Sequence, residues 1–229
     1  MKRLILSLLL LPTKLLPPKT MLRLLFRLDQ ALYYVQGQVS IRYGGGIHPK
    51  HRLMNYHQFF VSNITNEQKV LDIGCGIGAL AYSIATKCNA HITGIEISER
   101  NITQARTQFP HENIEYIHGD VLTHPWSTLF DVIVMSNVLE HLPNRPEFLQ
   151  HVTRTVKPKR FLIRVPLFER DWRVPLKKEV GIDYRLDPTH YIEYTQETFA
   201  EEMEQANLAI TSLEIRWGEI WAQLTPKSS

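Results

Sequence analysis

The stretch that decides the fold is Val70-Leu71-Asp72-Ile73-Gly74-Cys75-Gly76-Ile77-Gly78, which leads from an apolar strand into a glycine-rich turn. Residues 79–85 follow it and have the composition of a helix start. A strand, a glycine turn and a helix together form a corner that can bind a nucleotide. Glycine lets the backbone pass close to a ligand, and amides at the helix N-terminus can face a negative group. The stretch therefore predicts a site for a nucleotide-type cofactor.

The spacing of the glycines distinguishes between cofactors. A dinucleotide fingerprint reads G-x-G-x-x-G, whereas this chain reads G-x-G-x-G directly after Asp72 and Ile73. The second pattern resembles motif I of the class I S-adenosylmethionine methyltransferases. Because S-adenosylmethionine carries an amino-acid end and a sulfonium, a carboxylate close to the turn suits it. An NAD-dependent dehydrogenase is a further alternative that the glycine spacing disfavours.

This resemblance implies a fold and a first set of contacts. The expected fold is α/β: a Rossmann-like three-layer sandwich on a seven-stranded, mostly parallel sheet, with a helical N-terminal extension. The expected cofactor is S-adenosylmethionine. Within the turn, the resemblance assigns cofactor contacts to Asp72, Gly74, Cys75, Gly76 and Gly78.

Two further strands continue the resemblance. Residues 91–96 end in Glu96, about 20 positions after the glycine turn, where an acidic side chain can accept hydrogen bonds from ribose hydroxyls. In the family the next residue, here Ile97, packs on the adenine. After a third strand at residues 113–118, the family places an acidic residue and a backbone amide on the adenine edge. The matching positions are Asp120 and Val121.

A fourth strand at residues 130–135 is followed by Ser136 and Asn137, which resemble motif IV and would border the sulfonium and the acceptor. The four motifs occur in order between residues 70 and 142. The overall pattern is similar to the broad type 11 methyltransferases, many of which act in glycan or lipid biosynthesis. We therefore expect methyl transfer to a small-molecule acceptor, on an oxygen of a glycan- or lipid-pathway intermediate.

The bulk composition sets limits on the class of protein. The chain has 229 residues and 44% hydrophobic composition, enough for one α/β domain with an appendage. Two cysteines are too few for a disulfide framework, which favours a reducing, cytoplasmic compartment. The net charge of +3 is unevenly distributed, because residues 1–60 contain nine Lys and Arg against one Asp, or +8. This asymmetry indicates that the N-terminal segment meets an acidic surface such as lipid.

The N-terminal segment has two parts. Residues 4–11 resemble the start of a signal peptide, but no small-x-small cleavage site follows. From Thr20 onward, apolar residues recur at helical spacing beside basic flanks, which predicts an amphipathic helix. The apolar set is Met21, Leu25, Leu28, Leu32 and Val35. One interpretation is peripheral attachment at the inner membrane face; the other is packing on its own domain or on a second subunit, as in a homodimer.

The expected organisation is an extension and lid at residues 1–60 and a cofactor-binding domain at residues 61–229. Three glycines at residues 44–46 would give the lid hinge freedom, and Lys50, His51 or Tyr56 could reach the cofactor or the acceptor. A helix is expected at residues 53–61.

In the C-terminal half, we expect a helix at residues 147–156, a strand at residues 160–166, a helix from Thr195 to about residue 206 and a last strand at residues 209–217. Between the fifth strand and the last helix, residues 167–194 form an insertion that would wall the substrate pocket, because so long a connection in a compact fold is usually functional. Trp217 and Trp221 are expected in the core or an interface.

An oxygen acceptor must lose a proton, and histidine is the usual base near neutral pH. His190, within the insertion, is the first candidate, and His141 is the second; His48 and His51 are weaker ones. Similar ubiquinone-pathway O-methyltransferases carry a Glu-x-x-Glu-His cluster that can bind a divalent cation. Here the sequence is Asn137-x-x-Glu140-His141, so one anionic ligand is missing and no metal is predicted.

Two other functions remain open from the sequence. A methyltransferase acting on RNA or protein fits the basic N-terminus, but no Asn/Asp-Pro-Pro-Tyr motif follows the fourth strand and no RNA-binding module is recognisable, so no nucleic-acid partner is expected. A non-catalytic protein that binds S-adenosylmethionine is the second. The expected partner is a small-molecule acceptor, with a lipid-linked one as an option.

Overall fold

The computed structural model describes Leu10, Thr13 and residues 15–227, so the signal-like run at residues 4–11 falls outside the described residues apart from Leu10. The described chain forms two compact units. The first consists of residues 15–53 and 171–185, and the second consists of residues 54–170 and 186–227.

The second unit is built on a seven-stranded sheet with the order β3-β2-β1-β4-β5-β7-β6. Its strands are β1 (Lys69–Ile73), β2 (His91–Glu96), β3 (Ile114–His118), β4 (Val132–Ser136), β5 (Arg160–Pro166), β6 (Leu208–Arg216) and β7 (Glu219–Pro226). Strands β1 to β5 are parallel, and β7 runs antiparallel to both β5 and β6. The predicted seven-stranded, mostly parallel sheet is therefore confirmed.

The helices, in chain order, are α1 (Pro18–Tyr43), α2 (Lys50–Met54), α3 (His57–Val61), α4 (Ala79–Cys88), α5 (Glu99–Gln108), α6 (Arg145–Val156), α7 (Arg173–Val180) and α8 (Gln196–Gln205). Alternate strand residues enter two apolar clusters, as the pleat requires. Leu71 and Ile133 pack with α6 and α8, whereas Val70 and Val132 pack with α3, α4 and α5. Helices therefore cover both faces of the sheet, and the three-layer sandwich is confirmed.

The first unit contains the predicted N-terminal helix. This helix, α1, packs against α7, which lies within the segment predicted as an insertion. Met21 and Phe26 are buried, but most of the predicted apolar set of α1 is exposed. Within the described part of the chain, no helix has both the length and the apolar content that a membrane crossing requires.

Several local predictions differ from the structure. The single helix expected at residues 53–61 is two short helices, because Asn55 adopts a left-handed φ of 49° between them. The residues of strand β7 were not identified in the sequence, although seven strands were expected from the resemblance. The strand returns from β6 through a turn at Trp217 and Gly218, both with positive φ. Trp221 lies in the core as expected, whereas Trp217 is exposed.

Candidate active site

The glycine turn lies where the strand order reverses, between β1 and β4. In open α/β sheets, ligands bind at this switch point, beyond the carboxyl ends of the strands. The backbone N–H groups of Gly74 and Cys75 both donate to the Ile95 carbonyl oxygen, at 2.8 and 3.1 Å, which fixes the turn against β2. Gly76 has a φ of 55°, and a Cβ built there meets no atom within 4 Å. The turn therefore presents open backbone at the switch point.

Glu96 ties the turn to the end of β2. One carboxylate oxygen accepts from the Gly76 backbone N–H at 3.1 Å, and the other accepts from the Ser98 N–H at 2.9 Å. Each carboxylate oxygen has a second lone pair, so both can still accept from a ligand hydroxyl. The side chain is thus oriented by its own loop.

Asp72 is buried at the end of β1, and its Oδ2 has no hydrogen-bond partner within the described structure. Burial, and then the nearby Glu96 carboxylate, raise the pKa of Asp72 to about 8. A buried carboxylate without a partner is costly, unless a donor or a positive charge meets it. The position therefore suits a cationic ligand group, such as the ammonium or the sulfonium of S-adenosylmethionine.

A cavity of about 430 Å³ opens beside the turn. Its walls are mainly apolar, with carboxylates and an amide interspersed. The lining residues are Ile73, Gly74, Ile95, Glu96, Ile97, Gly119, Asp120, Val121, Leu122, Asn137, Val138, His141, Leu142 and Pro143. An apolar wall with a few convergent polar groups is typical of cofactor sites. The carboxylates in its wall, together with the open Gly76 and the unpartnered Asp72 oxygen of the adjoining turn, fit S-adenosylmethionine.

The structure brings most of the sequence-predicted cofactor residues to this cavity. Those that line it are Gly74, Glu96, Ile97, Asp120, Val121 and Asn137. The other predicted positions, which are Asp72, Cys75, Gly76, Gly78 and Ser136, belong to the turn or to strand ends and do not line it.

Two of those positions face the core. The Cys75 side chain packs behind the turn, within 3 Å of where a Cβ on Gly94 would lie, and burial raises the pKa of its thiol. Gly78 has a φ of 83° and caps α4, and a Cβ there would meet the Tyr116 hydroxyl at 2.4 Å. We infer that both shape the turn from behind.

The two candidate bases lie side by side. The rings of His141 and His190 are 4.5 Å apart, edge to face. His141 lies in the short 3-10 turn Leu139–His141 and lines the cavity, whereas His190 is buried and does not line it. The Tyr191 backbone N–H donates to the Glu140 carbonyl oxygen at 2.8 Å, which joins the two segments. Between the two histidines, geometry favours His141 as the one that reaches a ligand.

Hydrogen bonds orient both rings. Thr189 donates its hydroxyl to the Asp187 carboxylate at 2.6 Å, so it must accept from His141 Nδ1, 2.8 Å away. His190 Nδ1 faces a carboxylate oxygen of Glu193 at 2.8 Å and must also carry a proton. In the neutral ring of His141, Nε2 is therefore the basic nitrogen.

The surroundings keep His141 neutral. Burial, and then the charge of His190, lower the pKa of His141 below its usual 6.5. A neutral imidazole at pH 7 is the form that can take up a proton. His190 is held from behind, because its partner Glu193 also accepts from the Leu186 N–H at 2.6 Å and forms an ion pair with Arg170.

Glu140 completes this cluster. Both of its carboxylate oxygens are buried without hydrogen-bond partners in the described structure, and burial raises its pKa to about 7. Ligand atoms of Glu140, His141 and His190 lie within 4.8 Å of one another. Two imidazoles and a carboxylate suit a first-row divalent ion, which would act there as a Lewis acid. The prediction of no metal stays a prediction.

Sequence reasoning missed several residues of the site. Glu193 and Arg170, which hold His190, were not singled out. The i, i+3 spacing of His190 and Glu193 was the available signal for the first of them. Of the predicted lid residues, Lys50 and His51 belong to the first unit, whereas Tyr56 is buried in the second, under the Arg164 guanidinium.

Comparisons with known proteins agree with this geometry. A family model described as a methyltransferase domain matches residues 47–213. The mitochondrial ubiquinone biosynthesis O-methyltransferase of Schizosaccharomyces pombe is 35% identical over 106 residues, which are 44% of this chain and 38% of that protein. The ubiquinone biosynthesis O-methyltransferase of Maricaulis maris is 35% identical over 99 residues, 42% of this chain and 39% of that protein. The chain thus spans well under half the length of these two relatives.

Among solved structures, the TehB-like SAM-dependent methyltransferase from Corynebacterium glutamicum is similar, with a TM-score of 0.58 and 18% identity. The match covers 87% of this chain and 99% of that one. At this identity the likeness concerns the fold.

Proposed function

The chain belongs to the methyltransferase domain family, and from that premise we propose that it transfers the methyl group of S-adenosylmethionine to an oxygen of a small-molecule acceptor. The observation that carries the proposal is the cavity at the switch point. It has oriented acceptors at one end and the neutral imidazole of His141 in its wall.

We assign the cofactor contacts as follows. Glu96 accepts from the ribose hydroxyls, because its oxygens are oriented by the turn and keep free lone pairs. Ile97, Asp120 and Val121 meet the adenine. The turn from Asp72 to Gly78 holds the amino-acid end, with the Asp72 carboxylate as counter-charge, and Ser136 and Asn137 border the sulfonium.

S-adenosylmethionine supplies an activated methyl group, so positioning accounts for most of the catalysis. The acceptor oxygen attacks in line: an O–CH₃ bond forms as the S–CH₃ bond breaks, and the bonding pair of electrons leaves with the sulfur. His141 Nε2 takes the hydroxyl proton of the acceptor. His190 acts beside it, held by Glu193, and keeps the pKa of His141 low.

The nature of the acceptor is a finer proposal. The two relatives are ubiquinone biosynthesis O-methyltransferases, which supports a small molecule methylated on oxygen. We propose an intermediate of glycan or lipid metabolism, which a lipid could carry, and a cytoplasmic enzyme attached at the inner membrane face. A homodimer is compatible with this function.

Calorimetric titration tests the cofactor first. We expect micromolar binding of S-adenosylmethionine, no comparable binding of NAD, and strong weakening by Glu96→Ala. An acceptor screen by mass spectrometry, looking for a gain of one methyl group, then tests the reaction. Binding of NAD in preference to S-adenosylmethionine would overturn the proposal, and tight binding with no methylated product in a broad screen would favour the non-catalytic alternative.

A further inference from the structure

Helix α1 has two sides with different environments. One side packs on α7: Arg23 Nε donates to the Val180 carbonyl oxygen at 2.6 Å, and Asp29 lies 3.5 Å from the Arg173 guanidinium. The Lys177 ammonium lies 5.5 Å from the centre of the buried Phe26 ring. Since a helix turns about 100° per residue, Arg23, Phe26 and Asp29 fall on one side of it. Between Arg23 and Asp29, this side is therefore covered within the first unit.

Among the residues that the structure describes, none covers the opposite side of α1, which is apolar. We define the α1 stripe as Leu24, Leu25, Leu28, Leu32, Val35 and Val39. At about 100° per residue, these six side chains fall in a band about 100° wide, facing away from α7. Each is between 41% and 61% exposed. Leaving so many apolar side chains in water along a single helix is unfavourable, so we expect the stripe to bind another apolar surface.

The charge around the stripe indicates which kind of surface binds it. Residues 18–53 contain six Lys and Arg residues against a single Asp, a net charge of +5. That Asp, Asp29, is already engaged by Arg173 and Lys177. Arg27 and Arg42 fall along one margin of the stripe, where long cationic side chains can extend toward lipid headgroups. An apolar band with one cationic margin, on a helix whose single acid is already paired, is complementary to an anionic bilayer.

A second copy of the chain is the alternative partner for the stripe. The spacing of Met21, Leu25, Leu28, Leu32, Val35 and Val39 alternates between four and three residues, as in a coiled coil. Two features favour lipid. Met21 is already buried, and Leu24 widens the band beyond a two-helix seam. The helix also lacks the acidic residues that would pair with its own cations across such a seam.

We propose that the α1 stripe lies in the headgroup region of an anionic membrane, with α1 parallel to its surface. The proposal that α1 binds a membrane does not depend on the reaction. The use of that binding, which is to give the site access to an acceptor carried in the bilayer, rests on the proposed function. Because α7 lies on the opposite side of α1, it stays on the aqueous side of the helix.

Vesicle flotation of the full-length protein tests this. Vesicles of phosphatidylcholine with about 30% phosphatidylglycerol, which carry a negative surface potential, are compared with vesicles of phosphatidylcholine alone. We expect binding to the anionic vesicles that falls with salt. Leu28→Gln/Leu32→Gln should weaken it by about a hundredfold, because two leucines no longer enter the bilayer.

Tyr33→Gln/Tyr34→Gln is the matched control. It removes two exposed apolar side chains from the same helix, without a change of charge, but outside the stripe. It should leave the binding within about threefold of the wild type. Arg27→Gln/Arg42→Gln should weaken binding to anionic vesicles only. Circular dichroism and S-adenosylmethionine affinity, measured on each variant, separate membrane binding from folding and from cofactor binding.

Three results would overturn the proposal. One is wild-type protein that does not float with anionic vesicles. A second is equal loss in the stripe and control variants. The third is a wild-type dimer in sedimentation velocity that becomes a monomer in Leu28→Gln/Leu32→Gln without any vesicle binding, which would assign the stripe to a second copy. None of these depends on methyl transfer, so a failed acceptor screen leaves the test intact.

Discussion

Arg164 holds Asn137 in two ways. The Asn137 backbone N–H donates to the Arg164 carbonyl oxygen at 2.7 Å, and Arg164 Nε donates to the Asn137 side-chain oxygen at 3.2 Å. Asn137 lines the cavity with a φ of 56°, a left-handed conformation that a side chain adopts at some cost. The Arg164 guanidinium is buried over the Tyr56 ring and lies 3.4 Å from the Glu219 carboxylate. A buried ion pair between β5 and β7 thus fixes a residue of the site.

Replacing Arg164 should therefore destabilise the protein strongly. In Arg164→Met, the Glu219 carboxylate would stay buried without its cation, which costs about 3–5 kcal/mol of unfolding free energy. Chemical denaturation measures this. The double variant Arg164→Met/Glu219→Gln should recover much of the loss, because no buried charge is left over. A double variant as unstable as the single one would show that packing, and not charge, explains the effect.

The cofactor end of the site gives a second prediction. In Glu96→Gln, one of the two backbone N–H groups at Gly76 and Ser98 loses its acceptor, and a ribose hydroxyl loses a charged partner. We expect S-adenosylmethionine to bind about ten- to a hundredfold more weakly by calorimetry. Glu115→Gln, an exposed position on β3, is the control and should bind normally. Equal weakening in both variants would argue against a ribose contact at Glu96.

The parallel core of the fold was accessible from the sequence because each of its strands is a short apolar run followed by a turn. The predicted limits of β2 and β5 match the observed ones, and those of β3 and β4 differ by at most two residues. Strand β7 was missed because it follows β6 after only Trp217 and Gly218, so the two strands look like one segment ended by a turn. Helix α7 was missed inside the segment taken as an insertion.

The sequence could not predict that His141, and not His190, lines the cavity. Glu140 and His141 are neighbours in a 3-10 turn, yet the first is fully buried and the second lines the cavity. The tertiary contacts of that turn, with β5 and with residues 187–191, determine this. The periodicity of α1 predicted a helix with an apolar side, but could not predict that α7 would take the other side.

Cofactor binding should depend on pH through Asp72. Its pKa of about 8 in the free protein lies above the ordinary 3.8, so the folded state favours the protonated form. The contribution of Asp72 to the free energy of unfolding is therefore fully present below pH 3.8 and is lost as the pH rises toward 8. A cationic ligand favours the carboxylate instead. The affinity for S-adenosylmethionine should therefore rise with pH, by up to about tenfold per unit, until it levels off near pH 8.

Calorimetry between pH 6 and 9 measures this dependence. Asp72→Asn should bind more weakly and lose the part of the dependence that belongs to the protein, so the residual slope reports the ligand's own amino group. A wild-type affinity that does not change over this range, or an unchanged slope in Asp72→Asn, would contradict the assignment of Asp72 as the counter-charge.

The last prediction concerns the base. His141 must be neutral to accept a proton, and its pKa lies below 6.5, so kcat should rise with pH below 6.5 and stay constant above it. His141→Gln should lower kcat by about 10²- to 10⁴-fold with little change in cofactor affinity. His190→Gln should cost less and should move the pKa of His141 upward, because the charge of His190 helps to lower it. Nuclear magnetic resonance titration of the imidazole C–H signals measures that shift directly. The profile is to be recorded with and without a chelator. Activity that is lost on chelation and restored by a divalent ion would assign His141 to a metal instead of the acceptor proton.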